Sequence, residues 1–379
     1  MAKRKKIIVI EAQRIFRKNK HGMDFVALEM IRGLQQLDTF NQYVIAVGPG
    51  EDQCLEATEN FKIVLLSSSN YFIWEQLLLP QLLKKEHADL LHCTSNTAPL
   101  FLKIPLVLTL HDIIFMEKKI GNNTSLYQNL GRIYRRWVVP RILKKVHKVI
   151  TVSDFEQNNI AAAFPELRDH IITVYNGVST RFKPLPFCTD PRFSALEKGS
   201  YWLLLGNTDP KKNLKNTLKA YAYYLKESKY KKKMLLADLE QEHLDRLLTE
   251  MDLQEIKDYL IVEAYIAHDL LVQVYNQAFA FLYPSIRESF GLPLLEAMAC
   301  GTPVVTSNTS AIPEVAQDNV VYINPNDIRS IGSGMLELEN NHLLYDNLIV
   351  KGLARSARFD WNQTAAKTLA IYESVHLSK

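Results

Sequence analysis

A chain of 379 residues exceeds what one ordinary hydrophobic core organises, so two domains are expected. With 47% hydrophobic and 23% charged residues, the composition is that of a folded globular protein and excludes a disordered or low-complexity chain. The net charge of +4 is too small to point to nucleic acid, and no nucleic-acid partner is expected.

The chain opens on MAKRKKIIVIEAQRIF, basic and then briefly apolar. The apolar run is too short for a secretory signal and is broken by Glu11, so it reads as a buried strand behind a basic tail. RKNKHGMDFVALE, Arg17 to Glu29, brings a basic loop, Gly22 and the start of an amphipathic helix. The side chains of Arg17, Lys18, Lys20 and His21 are open to two readings, a solvated loop or a face for an acidic acceptor. Strands are predicted next at YVIAVG, KIVLLS, DLLHC and PLVLTLHD, the last placing His111 and Asp112 at a strand end. A lone histidine in such a place is most simply a satisfied core residue.

GRIYRRWVVPRILKKVHK, Gly131 to Lys148, holds Arg132, Arg135, Arg136, Arg141, Lys144, Lys145 and Lys148 and no acid. Trp137, Val138, Val139, Ile142, Leu143 and Val146 give it an apolar side. A basic amphipathic helix of this kind either lies on anionic lipid or packs its apolar face on the N-terminal sheet. Strands at KVITVS and IITVYN follow, with Ser153 and Asn176-Gly177-Val178 at their ends, where a ligand-lining role and ordinary turn chemistry are both open.

RFKPLPFCTDPRFSALEKGS, with Pro184, Pro186 and Pro191, reads as a linker, and the domain boundary is placed between 185 and 186. The second half, 186–360, repeats the pattern with strands at YWLLLG, KMLLAD, YLIVEA, FAFLYPS, PVVTS and VVYINP. A last helix from Trp361 to about His376 gives a segment 361–379 expected to pack back toward the N-terminal domain. Apolar strands without alternation imply parallel sheets covered by helices on both faces. The expected fold is therefore α/β, two Rossmann-like domains with parallel sheets facing across a cleft, and ligands are expected at loops that follow strands.

Two such loops carry chemistry. LGNTDPKKNL, Leu205 to Leu214, ends a strand at Gly206 and offers Lys211 and Lys212, which could reach a diphosphate. RESFGLPLLEAMACGTPVV, Arg287 to Val305, places Glu288, Ser289, Phe290, Gly291 and Leu292 in a loop before a short helix. Pro293 suits its first turn and Gly301 the position past its end. The helix N-terminus offers unpaired N–H groups and a partial positive charge for phosphate, and Gly291 lets the backbone come close. Glu296, one turn in, is poorly suited to hold phosphate and well suited to accept two hydroxyl hydrogen bonds, as from a ribose. Glu288 could do the same for a sugar. The bland alternative is a capped helix with two surface glutamates.

The nearly unbroken pattern P-S-x-x-E-x-F-G-L-P-x-x-E-A-M-A-x-G-x-P-V-V, Pro284 to Val305, resembles the retaining GT-B glycosyltransferases of the family four group. The resemblance covers most of the chain and is densest from Tyr201 to Pro325. It implies an N-terminal acceptor-side domain, 1–185, and a nucleotide-sugar-binding domain, 186–360. It implies that Glu296 binds the donor ribose, that Glu288 contacts the donor sugar, and that the N–H groups of Phe290 to Leu292 meet sugar and diphosphate. Gly22 matches the family's glycine loop beside the diphosphate. His111, in a histidine-aspartate pair, matches the family histidine that contacts the donor sugar from the opposite domain. Lys212 matches the family lysine, Asn207 stands where an arginine is usual, and Lys211 stands where many members have a neighbouring arginine. The catalytic set implied is His111, Glu288 and Lys212. Glu314 in SNTSAIPEV matches another frequent position, for which a helix-start role is equally economical.

The activity implied is transfer of a sugar, with retention, from a GDP- or UDP-sugar to a hydroxyl of a glycan or lipid-linked saccharide. The TxxP-x-K-N-L-like segment favours mannose, and bacterial surface polysaccharide synthesis is the expected setting. Domain closure would exclude water. No Asp-x-Asp occurs, so metal-independent transfer without a cofactor is expected. A same-fold nucleotide-sugar epimerase and a non-catalytic two-domain sugar-binding protein are the alternatives. No Gly-x-Gly-x-x-Gly follows a strand and no Gly-x-x-x-x-Gly-Lys occurs, which disfavours a dehydrogenase and an NTPase. Cys54, Cys93, Cys188 and Cys300 are far apart and are expected reduced. With no apolar run of membrane-spanning length, a cytoplasmic location is expected, with peripheral contact on the inner face of the membrane if 131–148 meets lipid.

Overall fold

The computed structural model describes residues 4–117, 126–194, 196–206 and 208–376. By internal contacts the chain divides into two units, Met1–Gly177 with Asp360–Lys379, and Val178–Phe359. The sequence places its divisions after 185 and 360.

The first unit is built on β1 (Ile7–Glu11), β2 (Gln42–Val47), β3 (Phe61–Leu65), β4 (Leu90–Cys93), β5 (Leu106–Thr109), β6 (Lys148–Thr151) and β7 (Ile171–Thr173). They form one sheet in the order β3-β2-β1-β4-β5-β6-β7, with every pairing parallel. The central strands are apolar at nearly every position because helices cover both faces. One face carries the buried cluster of Trp74, Leu79, Leu91, Leu108, Val138 and Ile142. The other holds Ile8, Ile10, Ile31, Leu34, Ile45, Ala365 and Tyr372.

That second cluster joins the two ends of the chain. The helix Gly22–Leu37 packs on the C-terminal helix Trp361–Ser374, which belongs to this unit. A Cβ on Gly33 would lie 2.7 Å from the Ala365 Cβ, so this glycine sets how closely the two helices approach. Lys6 Nζ donates to the carbonyls of Tyr372 (2.6 Å) and Val375 (3.0 Å), cations at a helix C-terminus where the dipole favours them. The Tyr372 hydroxyl meets His92 Nδ1 at 2.6 Å.

The second unit is built on β8 (Tyr201–Leu205), β9 (Lys233–Ala237), β10 (Leu260–Glu263), β11 (Ala280–Tyr283), β12 (Val304–Ser307) and β13 (Val321–Ile323). They form a parallel sheet in the order β10-β9-β8-β11-β12-β13. Strand order reverses between β8 and β11, which are neighbours in the sheet although far apart in sequence. In doubly wound sheets that reversal opens a crevice at the strands' carboxyl ends.

Among the described residues the thirteen predicted strands coincide with thirteen observed, and the expected α/β fold of two Rossmann-like sheets stands. Helix limits differ. The basic helix expected at 131–148 runs Leu126–Leu143, because Lys148 opens β6 and pairs with Val107. Ser153 caps the helix Asp154–Ala163, its hydroxyl accepting from Glu156 N at 3.2 Å. Gly177 has a packing reason, since a Cβ there would lie 2.3 Å from Trp361 N. Glu314 sits in the first turn of the short helix Ile312–Ala316. All four cysteines are free thiols. Among the described residues no helix is long and apolar enough to cross a membrane.

Candidate functional site

The residues after β8 and after β11 build one constellation in the second unit. Leu205 ends β8, Gly206 follows, and Asn207 lies outside the described residues. A single helical turn, Pro210–Lys212, is capped by Asp209, whose carboxylate accepts from Lys211 N at 3.0 Å. Asn213 then takes a left-handed conformation, φ 64°, and the helix Leu214–Glu227 begins. Asn213 is buried, and its Nδ2 donates to the carbonyls of Pro284 (3.1 Å) and Pro325 (2.6 Å). Ile286 N donates to the Lys211 carbonyl at 2.8 Å. The loop after β8 is therefore stitched to the loop after β11 through the main chain.

This stitching aims the two lysines differently. Lys211 Nζ pairs with Asp209 at 3.3 Å on the surface. Lys212 Nζ meets Glu288 Oε1 at 2.6 Å and lies 3.5 Å from the Tyr283 hydroxyl, over the Tyr283 ring. Burial pushes the Glu288 carboxyl up, but the Lys212 charge and hydrogen bond, with the hydroxyls of Ser285 and Tyr283, together outweigh it and leave its pKa below the ordinary value. Burial, and then the Glu288 charge, hold Tyr283 well above the usual phenol range, so it stays protonated. Glu288 is fixed through its backbone as well. Its N–H donates to Ser310 Oγ at 3.0 Å and its carbonyl accepts from Ala311 N at 3.3 Å.

The helix Leu292–Ala299 starts at Gly291, which has φ 105° and ψ 52°. L-residues other than glycine rarely adopt that conformation, so a side chain here would strain the entry to the helix. Pro293 falls in the first turn and needs no partner for a nitrogen that lacks hydrogen. The Phe290 ring is buried edge-on against Phe359, 5.8 Å between centroids, and anchors the loop. Ser289, Phe290, Gly291 and Leu292 therefore lead into the positive end of a short helix, as the sequence predicts.

Glu296 lies on that helix and is nearly buried. Its Oε1 is 3.1 Å from His268 Nε2 and its Oε2 accepts from the Tyr275 hydroxyl at 3.4 Å. Burial first, then the Glu296 charge, raise Tyr275 well above the phenol range, so it remains a donor. His268, Tyr275 and Asn213 are site neighbours that sequence reasoning does not single out. Asn213 stood inside the quoted lysine segment. His268 follows the strand end YLIVEA without any motif.

Gly22 and His111 belong to the first unit. Gly22 is the first residue of its helix, and an added Cβ would meet nothing within 4 Å, so the space beside it is open. His111 is buried at the end of β5. Its backbone N–H donates to Asn96 Oδ1 at 2.7 Å and its Nε2 lies 3.0 Å from the Thr94 carbonyl. A carbonyl only accepts, so Nε2 carries the proton. Burial depresses the pKa of the ring, which is therefore neutral at neutral pH, with Nδ1 an acceptor. Among the described residues no group of three His, Cys, Asp or Glu side chains could hold a metal ion.

Residues 189–355 match the family described as Glycosyl transferases group 1, and residues 21–182 match Glycosyltransferase Family 4. The chain is 29% identical over 231 residues to O-antigen chain mannosyltransferase B of Escherichia coli, covering 59% of this chain and 60% of that protein. It is 30% identical over 203 residues to the serotype-specific mannosyltransferase WbdA of Escherichia coli, where the match spans 52% of this chain but only 25% of that protein. It is 27% identical over 270 residues to O-antigen chain mannosyltransferase RfbU of Salmonella typhimurium, 71% of this chain and 69% of that protein. In fold it is similar to Anabaena Alr3699/HepE, solved in complex with UDP and glucose, with TM-score 0.73 and 16% identity over 98% of this chain and all of that one. WaaG, a glycosyltransferase involved in lipopolysaccharide biosynthesis, matches with TM-score 0.70 and 14% identity over 97% of this chain and all of that one.

Proposed function

The chain belongs to the GT-B glycosyl transferases of group 1 and family 4, and on that premise we propose that it moves a hexose, mannose first among candidates, from a nucleoside-diphosphate sugar to a hydroxyl of a growing surface glycan or its lipid-linked precursor. The observation that carries the reading is the pairing of Lys212 with Glu288 beside the glycine-led N-terminus of the helix that bears Glu296, at the strand-order reversal of the second sheet. The mannosyltransferase names of the relatives support the sugar, and support GDP-mannose as the donor to try first.

In this reading Glu296 accepts the two ribose hydroxyls. Its remaining lone pairs are available because His268 and Tyr275 occupy only one direction at each oxygen. The N–H groups of Phe290 to Leu292 and the ammonium of Lys212 hold the diphosphate, where charge grows as the sugar departs. Gly206 leaves room for the phosphates. Lys211 remains on its surface pair with Asp209 and gives at most longer-range charge. Glu288 holds Lys212 in place and offers its second oxygen to a sugar hydroxyl.

The bond from the anomeric carbon to the diphosphate breaks with its electron pair on the phosphate oxygen. The acceptor oxygen takes that place on the same face, and its proton ends on the diphosphate. The protein's part is positioning and charge neutralisation, and no metal is assigned a step.

The test is a thermal-shift screen of GDP- and UDP-sugars on the parent protein and on Glu296→Ala. Stabilisation by one nucleotide, lost in the variant, is expected. No stabilisation by any nucleotide sugar would overturn the reading. The anomeric configuration of the product, read by NMR, decides retention.

A further inference from the structure

Strand β10 lies at the edge of the second sheet, yet the next strand, β11, pairs with β8 in its middle. The chain must therefore cross β9 and β8 between Glu263 and Ala280. It does so by a loop that carries His268 and by the helix Leu271–Gln277, which packs on β8 and on the helix Leu292–Ala299. The Thr302 hydroxyl pins this crossing by donating to the Tyr275 carbonyl at 2.8 Å. One segment thus delivers both His268 and Tyr275 to Glu296.

The two donors are unequal. His268 Nε2 stands 3.1 Å from Oε1, within ordinary reach for an N–H···O bond. The Tyr275 hydroxyl stands 3.4 Å from Oε2, which is long for O–H···O. Nε2 faces a carboxylate oxygen, which only accepts, so this nitrogen is the donor. The imidazole is itself held in place. The buried Phe182 ring meets it edge-on, 5.3 Å between centroids, and meets the Tyr275 ring in the same manner at 6.1 Å. The last torsion of a glutamate side chain has a broad minimum, so Glu296 alone does not fix the plane of its carboxylate. A vicinal diol donates to both oxygens together only when that plane is turned toward it, and a plane set beforehand spares the cost of ordering it on binding.

We propose that His268 is a positioning residue for ribose recognition: its Nε2–H fixes the plane of the Glu296 carboxylate and leaves the outward lone pairs to the two ribose hydroxyls. This rests on the assignment of Glu296 to the ribose. The effect of His268 passes through Glu296 alone, so only a ligand that carries both hydroxyls feels it.

The test compares GDP and UDP with their dideoxyribose forms, which lack both hydroxyls, by isothermal titration of the full chain. The parent should prefer the diol form of the nucleotide it binds by at least about tenfold. Glu296→Ala should bind both forms alike. His268→Ala should cut the preference at least about fivefold, while its affinity for the dideoxy form stays within about twofold of the parent's. His268→Gln, whose amide can donate in place of Nε2, should restore most of the preference, and Tyr275→Phe should reduce it less than His268→Ala does. Adding His268→Ala to Glu296→Ala should change the ratio no further. If melting shows His268→Ala to be unfolded, His268→Asn, whose shorter amide falls short of Oε1, takes its place. A preference abolished in Glu296→Ala but kept in His268→Ala would overturn this proposal and leave the ribose assignment standing. A parent without the preference, or a preference kept in Glu296→Ala, would overturn both. Equal loss of affinity for the two forms in His268→Ala would also overturn the proposal, because the histidine would then support the fold alone.

Discussion

Lys212 and Glu288 illustrate why a charged pair belongs at a site that must receive a diphosphate. Glu288 keeps its negative charge because Lys212 is 2.6 Å away, and the same contact holds the ammonium in place before any ligand arrives. Glu288→Gln keeps the shape and removes the charge. Transfer is expected to fall on the order of 10²-fold, read as kcat/KM in a steady-state assay. The variant also has a pH signature. The folded-state pKa of Glu288 lies below its unfolded value, so its contribution to stability is present above the ordinary carboxylate pKa of 4.5 and is lost as pH falls through the lowered one. The difference in melting temperature between parent and Glu288→Gln should therefore be constant from neutral to mildly acid pH and close only below the ordinary carboxylate value of 4.5. A gap that widens toward acid would contradict the lowered pKa.

At the scale of elements, the loops after β8 and β11 act as one object because Asn213 and the Lys211 carbonyl bind them together. Asn213→Ala touches no ligand in the proposed reading, yet it leaves the buried carbonyls of Pro284 and Pro325 without that donor. It also places alanine at φ 64°. A loss of about 2–3 kcal/mol is expected by denaturant titration, together with weaker nucleotide binding. Unchanged stability would show that the stitch is dispensable.

The same elements mark how far the sequence could be read. Strands such as Leu106–Thr109 and Ala280–Tyr283 were legible because they are apolar on both faces, and only a covered parallel sheet tolerates that. The Glu288–Glu296 loop was legible because glycine and proline there carry backbone requirements that identify a helix start. Asn213 was harder to see, since a left-handed asparagine differs from an ordinary turn residue only by its φ. His268 and Tyr275 were invisible because they reach Glu296 through tertiary packing. The five-residue π-helix Trp74–Leu78, with Glu75 buried among the hydroxyls of Tyr71, Thr97 and Tyr134, has no sequence signal of its own.

For the whole molecule, the chain leaves the first unit at Gly177 and re-enters it at Asp360. All the second-unit residues of the proposed donor site lie inside that excursion. A fragment of residues 178–359 is expected to fold alone and bind the donor nucleotide without transferring sugar. A chain stopped at residue 359 should lose cooperative unfolding of its first unit, because Ala365, Ile371 and Tyr372 vanish from the core beside Ile31 and Leu34. Calorimetry of both chains checks this. A fragment 178–359 without a cooperative transition, or a truncated chain with both transitions intact, would contradict the division.

The C-terminal helix also sets a clock. On the ribosome the residues that line Gly33 and Ile31 are made early, but the helix that covers them is encoded after the whole second unit. Between Gly177 and Asp360 the ribosome must add 182 residues, 178 through 359. At about 5–20 residues per second this takes roughly 10–40 s. For that time the face of Gly22–Leu37 that will receive Trp361–Ser374 stays open while the interior unit can already close. The second unit can thus be completed before the first, and the nascent first unit is the stretch most in need of a chaperone.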